Sequence, residues 1–553
     1  VPRSVIAAAG LLLVAFGVLC AHGLRWDSPT VDEFAHLPAG YWTLETGRFD
    51  LFPLNPPLVK VLSALPLLAL DPAIDTTSPV ENTGWFPWQF GTGFMERNRP
   101  IYDRIFFWGR LPVVALGMLL CLLSFLWARE LYGDEAGLVA LFFLVFCPPL
   151  LAHAHLATTD VGFAAFTVLT LWTFHRFVQR PSPARLAMAG VALGLVQLAK
   201  MSALLLYPLF LLLAGIALIR REGDRRITRT IGAVAAIFLI SLLVLDAGYL
   251  FQEVGGALGS YRFESRALRG AASVLPGGLP VPLPAAYLQG LDALQLINDT
   301  GEFPEYLFGR WSRTGSPFYY LISLLFKTPL PLLLAFLAAP FARRKENAVR
   351  GEVFLWLPAV GLFAWFSLFS SVHYGIRYIL PVLPLLTIWS ARLVPWLRER
   401  GRTLRVAGIA VLVTVPLSAL LATPDTISSF NLLAAGRGDE ILLDSNLDWG
   451  QGLKRVRAFM DREGIDEIGL AYFGHVDPAL YGIRWHFPDP RRPGLVAVSA
   501  NFLHGYPYAT YAEGRIVPVP PGAFSWIARF PRVADLGGGI FVYNVEPATA
   551  APR

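Results

Sequence analysis

The sequence predicts a mainly α-helical, polytopic membrane bundle with a small α/β domain at its C-terminal end, and three observations predict it. Of the 553 residues, 55% are hydrophobic and only 16% are charged, whereas soluble domains carry about 25% charged residues. Apolar stretches long enough to cross about 30 Å of hydrocarbon recur along most of the chain. Beyond about residue 422 they stop, and short apolar runs separated by turn residues take over. A mean hydropathy of +0.51 agrees with this division. Fifteen Trp and 43 Pro suit interfacial anchoring and broken loops better than a compact soluble core.

Taken in order, the apolar stretches fall near 5–22, 105–128, 136–151, 160–178, 186–200, 202–219, 230–250, 317–341, 352–370, 378–397 and 405–422, about eleven helices. The first lacks a small-residue cleavage site and reads as a retained signal-anchor. The fifth and sixth are nearly continuous around Lys200. Alternate connections are basic: Arg176, Arg180 and Arg185; Arg220, Arg221, Arg225, Arg226 and Arg229; Arg343, Arg344, Lys345 and Arg350; Arg392, Arg398, Arg400, Arg402 and Arg405. By the positive-inside rule the amino terminus is then cytoplasmic and the carboxyl terminus outside, which an odd span count also requires. Three outer regions follow: a first loop at about 23–104, a second at about 251–316, and the tail from 423. The expected division is a transmembrane domain over 1–422 and an extracytoplasmic domain over 423–553.

In the tail, Glu440-Ile-Leu-Leu443, Ile468-Gly-Leu-Ala471, Leu495-Val-Ala-Val-Ser499 and Gly539-Ile-Phe-Val-Tyr543 read as strands, and Trp449 to Glu463 as a helix. The net charge of +6 does not point to nucleic acid, because the basic residues lie in short loops between spans. Cys20, Cys121 and Cys147 sit in or beside apolar runs and form neither a disulfide framework nor a metal spacing.

The segment Val31-Asp-Glu-Phe-Ala-His-Leu-Pro-Ala-Gly-Tyr-Trp42 sets two carboxylates and a histidine directly after the first span. Asp32 and Glu33 could bind a cation, or one could act as general base while the other orients it. A plain helix start capped by Thr30, with acids favoured in its first turn, accounts for them equally well. In Asn55-Pro-Pro-Leu-Val-Lys60 two prolines release a helix that presents Lys60, either to a phosphate as a point charge or to headgroups by snorkelling. Asp160, after Thr158-Thr159, opens the fourth span from the outer side, as a cap or as a second acid of the same site. His153 and His155 read as interface residues. Lys200 interrupts an apolar stretch, Lys327-Thr-Pro329 sets a cation in or near the eighth span, and His373-Tyr-Gly-Ile-Arg377 precedes the tenth. Together these cations make an outer rim suited to an anionic lipid headgroup, and Arg377 could fork onto a phosphate. Ser445-Asn-Leu-Asp-Trp-Gly-Gln451 reads as a turn and helix cap.

Asp32-Glu33 with His36, Pro56 to Lys60, Thr159-Asp160, Lys327 to Pro329, Gly375 to Arg377 and Asp448 to Gln451 together resemble the phospholipid-carrier-dependent glycosyltransferases. These are bacterial enzymes of the GT-C fold, similar to the protein O-mannosyltransferase and aminoarabinose-transferase group. The resemblance spans nearly the whole chain. It implies a sugar taken from a polyprenyl phosphate at the outer face of the bacterial inner membrane and passed, usually with inversion, to an acceptor hydroxyl on protein, lipid or polysaccharide. By position, Asp32 resembles the catalytic acid of the first loop, Glu33 its neighbour and Asp160 the second acid. Lys60, Lys200 and Arg377 occupy donor-phosphate places, with His36, Lys327 and His373 as further substrate-binding candidates. The resemblance also implies interfacial helices at 32–47 and 56–70; the insert between Asp71 and Arg104 has no assignment. A divalent metal on Asp32, Glu33 and His36 is an open alternative. So are a lipid or solute transporter or flippase, which would place its binding groups near the bilayer midplane, and a membrane scaffold with an external binding domain.

Overall fold

The computed structural model describes residues 2–80, 84–220, 227–301, 304–342 and 346–546. Among these, seven helices are long and apolar enough to cross a membrane: Arg3–Trp26, Arg99–Tyr132, Asp160–Gln179, Met201–Ile219, Ile227–Gly248, Gly351–Phe369 and Arg402–Ala422. Two bent pairs, Asp134–Val145 with Pro148–Ala154 (65°) and Tyr319–Lys327 with Leu330–Phe341 (117°), would raise the number to nine. The protein is a multi-pass membrane protein. The bends sit at Cys147-Pro148-Pro149 and at Lys327-Thr328-Pro329, where proline withholds the backbone donor that would continue the helix.

Two of the eleven expected spans take another form. Residues 186–200 fall on Pro183–Ala199, a helix of 17 residues. Residues 378–397 break into Ile376–Ile379, Val382–Ser390 and Leu393–Arg398, because Pro381 and Pro384 interrupt the backbone ladder. Of the basic residues that set the expected orientation, Arg221, Arg225, Arg226, Arg343, Arg344 and Lys345 lie outside the described residues.

Helix Asp160–Gln179 is buried along most of its length, as the centre of a bundle must be. Arg3–Trp26 and Arg402–Ala422 expose Leu11, Val18, Val413 and Leu421 instead. Such faces are stable against hydrocarbon and not against water.

The first long loop, over 23–104, forms helices Glu33–Thr46, Pro57–Ala64 (running on as a tight turn over Leu65–Ala69) and Phe86–Arg97. The first two cover the stretches 32–47 and 56–70, and the third lies in the insert that had no assignment. Glu33–Thr46 and Pro57–Ala64 cross closely: a β-carbon on Gly40 would come within 2.1 Å of the Lys60 carbonyl oxygen, so only glycine fits there. The second long loop, over 251–316, supplies helices Arg266–Val274 and Ala285–Thr300 and a hairpin of Glu305–Leu307 with Arg310–Ser312.

The tail forms a five-stranded mixed sheet in the order Trp485–His486, Ile468–Ala471, Gly494–Ser499, Ile540–Val545, Arg532–Asp535. The first three strands are parallel, and the last two join antiparallel. Helix Leu453–Glu463 precedes the sheet and ends at Gly464 in the left-handed region (φ 66°). A separate hairpin pairs Tyr508–Ala512 with Arg515–Val519. The expected strand at Glu440 to Leu443 is instead a helical turn, Gly438–Ile441, followed by buried Leu442 and Leu443. A short apolar run does not by itself distinguish a strand from a buried helical turn.

The tail does not enclose its core alone. Leu453, Val456, Phe459, Met460, Ile468 and Leu470 cluster with Phe34, Leu37 and Tyr41 of helix Glu33–Thr46. Asp27, just past the first span, bonds Arg455 at 3.0 Å, and Arg455 also pairs with Asp425 at 2.7 Å. Apolar and ionic contacts thus fix the tail on the first loop.

Candidate active site

Between the two long loops and the tail lies a cavity of about 950 Å³. Asp32, His36, Phe52, Trp85 and Trp88 line it from the first loop, Glu264, Asp292 and Arg313 from the second, and Asp444, Trp449, Tyr506 and Tyr508 from the tail. Lys200, Tyr374, Arg377 and Tyr378 reach it from the bundle.

Four charges alternate here: Asp32, Arg377 and Lys200 line the cavity, and Asp160 is buried behind them. Arg377 Nη1 donates to Asp32 Oδ2 at 2.6 Å and stands 3.8 Å from Asp160 Oδ2, while Lys200 Nζ meets Asp160 Oδ1 at 2.5 Å. Each residue sits at an end or break of an element. Asp32 precedes helix Glu33–Thr46, Asp160 is the first residue of Asp160–Gln179, and Arg377 lies in the tight turn Ile376–Ile379. Lys200 holds extended backbone (φ −158°, ψ 140°) between Pro183–Ala199 and Met201–Leu205, which is how a lysine interrupts an otherwise continuous apolar stretch. Aromatic faces cover the cations. The Arg377 guanidinium lies 4.1 Å from the Trp449 ring centre, and the Lys200 ammonium 4.4 Å from that of Tyr378. The turn that delivers Arg377 requires Gly375 (φ 85°), where a β-carbon would come within 2.5 Å of Ser445 Oγ.

Glu33, expected beside Asp32 as a partner in chemistry, faces the other way. It is fully buried and binds Arg110 through both oxygens at 2.7 Å. It also accepts from the backbone N–H and hydroxyl of Thr30 and from the N–H of Ala157. Burial opposes its charge, but Arg110 and these donors outweigh burial and hold the carboxyl below its ordinary range. A carboxylate with five donors has no lone pair left for a substrate proton. The reach back to Thr30 is the local part of the arrangement, made across the turn that precedes helix Glu33–Thr46.

The other expected site residues are placed as follows. His36 lines the cavity, packed on Phe52 with ring centres 5.3 Å apart, and burial brings its imidazole down to about 4, so it is neutral at pH 7. Lys60 lies behind the wall, donating to the Phe52 carbonyl at 2.6 Å, and burial lowers its ammonium to about 7. Lys327 donates to the carbonyls of Ile427 and Asn446 at 2.7 and 2.6 Å and straps the start of the tail onto the bent helix pair. His373 stands 2.8 Å from Glu305 and packs between Tyr319 and Tyr320. Neither Lys327 nor His373 lines the cavity. Among the described residues no three His, Cys, Asp or Glu side chains gather to hold a metal ion. The trio Asp32, Glu33 and His36 does not converge, because Glu33 is turned to Arg110.

Several cavity residues had no expectation attached. Asp444 lies in the left-handed region (φ 56°), and burial raises its carboxyl, against the lowering effect of Arg377. Trp449 was visible only as part of a turn motif, and its indole proves to be the plate under Arg377. Arg110, inside a long apolar stretch, was the one signal that could have separated Glu33 from Asp32, since a buried arginine demands an anion.

Residues 101–246 match the family model of the dolichyl-phosphate-mannose-protein mannosyltransferases. That stretch contains Arg110, Asp160 and Lys200, so the likeness first seen in scattered motifs extends over a continuous part of the bundle. A comparison with curated proteins gives no match. Among solved structures the chain is similar to ArnT from Cupriavidus metallidurans in the apo state, at 15% identity and a TM-score of 0.47 over 94% of this chain and 99% of that one. It is also similar to the archaeal oligosaccharyltransferase AglB from Archaeoglobus fulgidus, at 14% identity and a TM-score of 0.41 over 82% and 59% of the two chains. For the S. cerevisiae protein O-mannosyltransferase Pmt1-Pmt2 complex the values are 19% and 0.32, over 45% and 33%.

Proposed function

We propose that the chain is an integral membrane glycosyltransferase that moves a sugar from a polyprenyl-phosphate donor to an acceptor hydroxyl, with inversion. The observation that carries this reading is the alternating Asp32–Arg377–Asp160–Lys200 cluster, in which Asp32, Arg377 and Lys200 line an aromatic-walled cavity and Asp160 is buried behind them. The family match over 101–246 supports the same reaction class. The cavity then opens on the extracytoplasmic side of the bacterial inner membrane, with the amino terminus in the cytoplasm and the domain over 423–553 outside.

In this mechanism Arg377 and Lys200 receive the donor phosphate, whose negative charge grows as the bond from the anomeric carbon to the phosphate oxygen breaks. Preorganised cations in a partly dehydrated site stabilise that charge most effectively. Without donor, both cations are held by carboxylates. A phosphate arriving at Arg377 competes with Asp32 and releases its oxygen toward the cavity. Asp32 then accepts the proton of the acceptor hydroxyl as that oxygen attacks the anomeric carbon, a contribution of roughly 10²–10⁴-fold. Asp160, paired with Lys200, holds that ammonium in place. Glu33 acts through Arg110 by fixing the start of the Asp32 helix. Lys60, Lys327 and His373 are assigned to support of the cavity wall, and His36 to uncharged contact with substrate.

The charged groups lie at ends and breaks of helices and not along a central pathway, so the transporter reading is not favoured. The test is transfer of labelled sugar from polyprenyl phosphate by the purified full chain in detergent. Transfer by the wild type, with loss in Asp32→Asn at retained donor binding, is the expected result. Movement of lipid between leaflets without formation of a glycosidic bond would refute the proposal.

A further inference from the structure

A second cavity, of about 530 Å³, shares Trp85 and Tyr508 with the first as lining residues. Both rings are half-buried, with centres 5.8 Å apart and planes inclined at 56°. They belong to a row of rings that starts beside Asp32 and crosses the wall of the larger cavity. His36 packs on Phe52 (5.3 Å), Phe52 on Trp88 (5.4 Å), Trp88 on Trp85 (5.6 Å), Trp85 on Tyr508 (5.8 Å) and Tyr508 on Phe473 (4.7 Å). The charged cluster occupies another part of that wall. The second cavity adds polar groups to the two rings. Gln89 and Thr92 lie three residues apart on helix Phe86–Arg97, and Arg515 lies on the tail hairpin.

We infer that this second cavity is an acceptor subsite, and that it takes a saccharide unit whose C–H face stacks on Trp85 or Tyr508 while Gln89, Thr92 and Arg515 meet its hydroxyls. The inference rests on the proposed transferase reading and narrows its acceptor to a glycan-bearing molecule. Aromatic faces combined with neutral amide and hydroxyl groups match a sugar ring, which is apolar on its faces and polar at its rim. A peptide fits less well. It would dock by adding its main chain to a free strand edge, but strand Arg515–Val519 packs against helix Phe86–Arg97. That strand also contains Pro518, which has no N–H to donate.

The experiment uses the full chain in detergent micelles, applied to an immobilised panel of envelope-type oligosaccharides with serine- and threonine-containing peptides as controls. The expected result is retention on glycans and not on peptides, weakened about tenfold or more in Trp85→Ala and in Tyr508→Ala. Partial rescue is expected in Trp85→Phe and Tyr508→Phe, which keep an aromatic face. Thermal unfolding of the same samples separates loss of a contact from loss of the fold. Asp32→Asn separates this inference from the reading beneath it: it should retain glycan like the wild type while its sugar transfer falls by roughly 10²–10⁴-fold. Transfer undiminished in Asp32→Asn would remove the assigned base and leave the subsite standing. Retention of no glycan, equal retention of peptides, or unchanged retention by folded Trp85→Ala and Tyr508→Ala would overturn the subsite.

Discussion

Asp32 and Glu33 are neighbours in the chain and opposites in the structure. The Asp32 side chain keeps 20% of its surface exposed, lines the cavity and has one ionic partner, Arg377. Glu33 keeps none and is saturated by Arg110, Thr30 and Ala157. One residue of helical advance rotates a side chain by about 100°, and here that rotation separates a group that can exchange partners from one that cannot. Chemical type and position in sequence are therefore poor guides to role at this site. What decides is whether a carboxylate retains an unfilled hydrogen-bond site facing the cavity.

The sharpest way to break the comparison is Asp32→Asn. Transfer from polyprenyl phosphate should fall by roughly 10²–10⁴-fold with the melting temperature nearly unchanged. Wild-type turnover in this variant would refute the role assigned to the exposed member of the pair. Glu33→Ala should do the reverse and act first on stability, because it strands Arg110 as a buried charge at a cost of roughly 3–5 kcal/mol. Thermal unfolding in detergent reads this directly, and the double variant Glu33→Gln with Arg110→Met should regain part of the loss. A melting point untouched by Glu33→Ala would mean that the ion pair holds nothing together. Next in size is Arg377→Lys, which keeps the charge and loses the planar fork, with an expected rise of about tenfold in KM for the donor; an unaltered KM would remove Arg377 from phosphate binding. The smallest effect is one of pH. The Glu33 carboxyl is held below its ordinary value of 4.5, so its stabilisation is complete above 4.5 and is lost as the pH falls through the lower folded-state value. Glu33→Gln should therefore flatten the fall of melting temperature with acidification below pH 4.5, and parallel curves for the two proteins would contradict this.

Much of the bundle was legible because hydrocarbon demands long apolar runs, and those runs predicted the straight spans. It was least legible where proline divides a run, as at Pro381 and Pro384, since composition stays apolar while the backbone ladder breaks. Asp32, Asp160, Lys200 and Arg377 were legible as candidates for the same reason in reverse: a charge beside apolar sequence needs an explanation. The structure brings these four together. Lys60, Lys327 and His373 raised the same signal, yet backbone carbonyls or Glu305 account for them away from the cavity lining. Sequence alone does not reveal which partner a buried cation will find. The aromatic row was not legible at all, because Phe52, Trp85 and Trp88 of the first loop meet Phe473 and Tyr508 only when the tail folds onto that loop.

The clamp from Asp27 to Arg455, with Asp425 on its far side, has a consequence for biogenesis. Asp32 emerges from the ribosome about 345 residues before Arg377, and about 420 before Trp449 and Arg455. A nascent chain in which only the early helices have been inserted carries the carboxylate but neither its counterion nor the roof that excludes water. On the proposed transferase reading, catalytic competence then arrives in one late step, when the tail settles on the first loop and brings Trp449 against Arg377.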